Sequence, residues 1–76
     1  MAQAMREAEF LARELRRAEN YDRHGFLNSE GRTLLERLIR LLRSRGLYTR
    51  MFREVRRAPS RENVEKLLAW VEENLG

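Results

Sequence analysis

The chain has 76 residues, 42% of them hydrophobic, which allows one domain with a thin core and leaves no room for a second. Cysteine is absent, which removes disulfides and thiolate metal sites, and no apolar run approaches the roughly 20 residues of a membrane span. Sixteen basic residues against twelve acidic ones give a formal net charge of +4, which favours partners with a negative surface, and every basic residue except Lys66 is arginine.

Apolar residues recur at helical spacing along nearly the whole chain and nowhere alternate with period two over a sustained run. This pattern predicts an all-α protein, a small bundle of about four helices spanning residues 1–76 as a single domain. The N-terminal stretch is too charged for a signal peptide, and a cytoplasmic protein is the expectation.

The first helix is expected from about Ala2 to Arg23. Met1, Ala4, Ala8, Leu11, Leu15 and Ala18 follow one another at spacings of three and four, the heptad seam of a coiled coil. A chain this short gains stability by pairing with a copy of itself, so Ala4, Ala8, Leu11, Leu15 and Ala18 are candidates for a homo-oligomer interface. Glu9 with Arg13 and Glu19 with Arg23 are favourable pairs on the exposed sides. Gly25 is the expected stop, after which Phe26 and Leu27 should tuck into the core.

Asn28 or Ser29 should cap the second helix, which runs to Arg45 and is weakened by Gly31 in its first turn. Leu34, Leu35, Leu38, Ile39, Leu41 and Leu42 give it a broad apolar face, and Gly46 ends it. A third helix is predicted over Leu47–Arg57, with Leu47, Tyr48, Met51, Phe52 and Val55 turned inward. Pro59 breaks the chain, and Ser60 caps a fourth helix that buries Val64, Leu67, Leu68, Val71 and Leu75, with Trp70 beside them.

Charge is uneven along this framework. Residues 1–31 carry a net −1 and residues 58–76 a net −2, whereas residues 32–57 hold nine arginines against Glu36 and Glu54, a net +7. At about 100° per residue, Arg37, Arg40 and Arg43 of the second helix fall opposite the leucines, and Arg50, Arg53 and Arg57 of the third fall opposite Met51 and Val55. Guanidinium groups in such rows suit phosphates, because each is a planar fork of donors that keeps its charge. These six arginines are therefore the candidate contacts to a nucleic-acid backbone, DNA or RNA. An acidic protein is the alternative partner, and a solvated surface patterned by Arg32–Glu36–Arg40 and Arg50–Glu54 pairs is the bland one.

The second and third helices, joined at Gly46, also suggest a helix–turn–helix with Thr49, Arg50 and Arg53 toward the major groove. Against base reading, the outer face lacks the Asn and Gln that usually accompany arginine there. His24, the one histidine, is expected to cap a helix end and cannot supply a metal site alone. Ser29 and Ser60 sit at helix starts, and no Gly-rich phosphate loop is present, so no cofactor, metal or catalytic residues are expected. The competing function is an assembly module or small regulatory subunit that uses the seam of the first helix.

Overall fold

The computed structural model describes residues 2–75, with side chains from Met5 onward. The described residues form four α-helices, α1 (Ala2–Leu15), α2 (Ser29–Ser44), α3 (Met51–Arg57) and α4 (Arg61–Leu75), with a 3-10 turn at Ala18–Asn20. The all-α bundle predicted from periodicity is what forms. α1 packs along α2, α3 along α4, and α1 also meets α4. Leu11 and Leu15 of α1, Leu35, Leu38, Ile39 and Leu42 of α2, Phe52 and Val55 of α3, and Val64, Leu67, Leu68 and Val71 of α4 fill one core. Burying each such side chain contributes roughly 1.5–3 kcal/mol, which is what holds four short helices together.

α1 stops at Leu15, well short of Arg23. The cause is local. Asn20, only 4% exposed, donates from Nδ2 to the Glu14 carbonyl, and the Tyr21 hydroxyl donates to the Leu15 carbonyl at 2.7 Å. These bonds satisfy carbonyls that a helix end leaves without partners, so the chain can turn there without cost. The Asp22 carboxylate then accepts from the amides of His24 (2.8 Å) and Phe26 (3.1 Å), and Gly25 takes a φ of +82° that favours glycine. His24 thus lies in an exposed turn rather than at a helix end.

The turn is pinned to the α3–α4 connection. The Leu27 amide donates to the Pro59 carbonyl and the Arg61 amide to the Gly25 carbonyl, both at 2.9 Å. Leu27 and Pro59 are buried, as predicted for Leu27, but Phe26 stays 39% exposed because the bridge to Ser60 turns it outward.

Asn28 caps α2 by accepting from the Gly31 amide at 2.9 Å. Gly46, at φ +78°, closes its other end: the Gly46 amide donates to the Arg43 carbonyl and the Leu47 amide to the Leu42 carbonyl, the two bonds of a Schellman stop. That stop leaves Leu47–Thr49 outside any helix, so α3 starts at Met51 and not at Leu47. The Thr49 hydroxyl accepts from the Met51 amide at 3.2 Å at this start. Ser60 caps α4 as the sequence predicts, accepting from the Asn63 amide at 3.2 Å.

Side-chain ion pairs join elements more than they decorate single helices. Arg16 reaches Glu65 at 2.9 Å and also Glu72, fastening the end of α1 to α4. Glu19 pairs with Arg17 at 2.8 Å, and neither predicted pair, Glu9–Arg13 or Glu19–Arg23, forms among the described residues. No helix of the described residues is long and apolar enough to cross a membrane.

Candidate nucleic-acid interface

α2 presents two sides because its buried residues, Leu35, Leu38, Ile39 and Leu42, recur at three and four residues. Arg37, Arg40 and Arg43 occupy the other side and are exposed. On α3, Phe52 and Val55 are buried, and Arg50, Arg53 and Arg57 are exposed on the far side. Among the described residues, none of these six guanidiniums pairs with a carboxylate.

Two acids lie among the rows: Glu54 of α3 is exposed and makes no ion pair among the described residues, whereas Glu36 of α2 is occupied. Glu36 accepts from Arg56 Nε at 3.0 Å and from Arg56 Nη2 at 2.7 Å, a two-pronged pair between α2 and α3. The bonds from Arg56 hold the Glu36 carboxyl below its ordinary range against a partial desolvation, with the charges of Arg56 and Arg40 adding to the effect. The same pair raises Arg56. The expected Arg32–Glu36–Arg40 and Arg50–Glu54 surface pairs do not form among the described residues.

The Glu36–Arg56 pair sets how the rows meet. It links the last turn of α3 to the middle of α2 through one long side chain. α3 takes its main packing from α4, so α2 and α3 are related by this pair and by the core they share rather than by a continuous seam.

Comparison with protein-family models, curated proteins and solved structures gives no match.

Two residues that periodicity turns inward are exposed. Arg45 falls on the inner side of α2 when the helical repeat is extended, but α2 ends at Ser44 and the turn carries Arg45 outward. Tyr48 belongs to the extended segment before α3 and is 68% exposed, not turned inward. The signal that could have located both is Gly46, whose left-handed stop takes the following residues off the helical wheel. Thr49 is only partly exposed and its hydroxyl serves the start of α3, and α3 itself is a seven-residue helix, so the base-reading helix–turn–helix loses its forward threonine.

Residues of the expected oligomer seam take part in the chain's own core. Ala8, Leu11 and Leu15 are buried within the chain's own bundle, so the spacing of three and four marks an intramolecular face. Ala18 is exposed in the 3-10 turn, off any helix seam, and the side chain of Ala4 lies outside the described residues. Between α1 and α4 runs a groove of about 480 Å³, with Met5, Ala8, Ala12, Val71 and Leu75 as its apolar lining and Arg13, Arg16, Glu9 and Glu72 around them.

Proposed function

We propose that this chain is a non-enzymatic protein that binds nucleic-acid backbone through the outer sides of α2 and α3. Arg37, Arg40, Arg43, Arg50, Arg53 and Arg57 hold phosphates, and Arg45 adds to the same positive field. The observation that supports this most is that the six arginines are exposed and none of them makes an ion pair among the described residues, while Glu36 within the α2 row is bonded to Arg56. The segment holding them keeps a net +7 in a chain of net +4.

A salt titration of binding to labelled oligonucleotides tests it. Affinity should fall steeply as salt rises, with a log–log slope approaching roughly −4 on a single strand if six phosphates are neutralised. Charge reversal at Arg40 or Arg53 should weaken binding and reduce the slope by about 1 to 2. An absence of binding at low salt, or affinity unmoved by both reversals, would remove the proposal.

The α1–α4 groove favours a second function, an assembly module whose partner is another copy of this chain. Light scattering across a range of concentrations tests it. A dimer split by Leu75→Glu would support it, and a monomer throughout would set it aside.

A further inference from the structure

Four large apolar side chains are well exposed among the described residues: Met5, Phe10, Phe26 and Tyr48. Only Tyr48 lies in the segment of net +7, with Arg43 and Arg45 before it and Arg50 and Arg53 after it in the chain. Its ring is held in place from below. It meets the ring of Phe52 edge to face, centroids 5.7 Å apart at 86°, and Phe52, itself only 3% exposed, meets Trp70 in the same manner at 6.0 Å. Aromatic contacts of this geometry favour a fixed orientation. No guanidinium covers the ring; the cation–π contact among the described residues is Arg61 over Tyr21. The Tyr48 hydroxyl also finds no partner among the described residues, in contrast to Tyr21, whose hydroxyl is bonded to the Leu15 carbonyl.

We infer that Tyr48 is a stacking platform for an unpaired base, and that the strand bound along the arginine rows is single. The inference rests on the phosphate-binding function proposed above and specifies its ligand. Phosphate contacts alone cannot tell a single strand from a duplex, whereas an exposed ring gains only from a base whose face is free. In a duplex both faces of each interior base are already stacked. Stacking of this kind tolerates any base, which agrees with an outer face without Asn or Gln. The anchoring through Phe52 fits the role, because a ring fixed before binding loses little freedom when a base settles on it.

The test compares three labelled probes with equal numbers of phosphates at one low salt concentration: oligo-dT, an abasic strand and a duplex. The wild-type chain should prefer oligo-dT to the abasic strand by about tenfold, the size of one base–aromatic stack. Tyr48→Ala should collapse that ratio toward one, and Tyr48→Phe should restore it. Tyr48→Leu, which keeps an apolar contact on Phe52, should behave as the alanine variant does. Equal binding of the strands with and without bases overturns the inference, as does an unchanged ratio in Tyr48→Ala. A uniform loss on all three probes in Tyr48→Leu overturns it too, since the role would then be structural. Binding that responds to Arg40 and Arg53 reversal while ignoring Tyr48 would leave phosphate recognition standing alone. No binding to any probe would remove both.

Discussion

A Cβ built on Gly31 would lie 2.6 Å from the Asn20 carbonyl oxygen and equally close to Leu27 Cδ2. In an open helix, replacing glycine by alanine stabilises by up to about 1 kcal/mol. Here the obstacle is partly backbone, and that backbone is held by Asn20, whose carbonyl also accepts from the Asn28 amide at 2.9 Å. Gly31→Ala should therefore destabilise by about 1–3 kcal/mol, read as a lowered denaturation midpoint. A rise in midpoint would show that the 3-10 turn yields. Propensity identified Gly31 as a weak point in α2 and missed the close approach, because nothing in the local sequence tells which turn will pass over the first turn of α2. The exposure of Tyr48 escapes the helical repeat for a related reason. A helix drawn from Leu47 puts it inward, and only the Schellman bonds at Gly46 show that the helix has not yet begun.

Helix lengths depend on such local chemistry more than on apolar spacing. The period of α1 continues through Ala18, yet the side chains of Asn20 and Tyr21 satisfy its last carbonyls sooner, a bond pattern that spacing does not encode. α2 and α4 were legible because their caps, Asn28 and Ser60, stand at the heads of clear apolar stripes. Glu36 shows the limit of reading within one helix: it has arginines four residues away on both sides and pairs with Arg56 of α3. That pair also shapes the response to acid. Because the folded pKa of Glu36 lies below the ordinary 4.5 of a free glutamate, the unfolded chain binds more protons in the window between them. The stabilisation is complete above about pH 4.5 and is lost as pH falls through the folded value. Glu36→Gln should make stability between pH 3 and 5 less steep in pH, measured by chemical denaturation at several pH values. At neutral pH the cost should stay within about 1 kcal/mol, as for other exposed pairs. An unchanged acid slope would show that the pair does not couple α2 to α3.

At the scale of the molecule, the seam of α1 has one role where the sequence suggested another. Spacing of three and four shows that Ala8, Leu11 and Leu15 must meet something apolar, but not whether it belongs to the same chain. The structure supplies the same chain's core. Leu11→Ala should therefore cost about 2–5 kcal/mol, against a total of about 5–15 kcal/mol for a folded domain, and should do so equally in dilute and concentrated protein. Intact helix content with loss of association only would return the seam to an intermolecular role. The basic segment was legible from charge alone, and the facing of its six arginines from the helical repeat. The pairing of Glu36 was not, since its partner is Arg56 of α3 rather than Arg32 or Arg40 one turn away.

The contact between Phe52 and the single tryptophan has a practical consequence. Indole emission in this chain has one source, Trp70, placed where α3 rests on α4, while far-ultraviolet ellipticity arises mainly from the three longer helices. The two signals thus watch different parts of one molecule without any label. If they change together on heating, the short third helix melts with the rest. If emission shifts first, α3 lifts away alone, carrying half of the cationic surface with it.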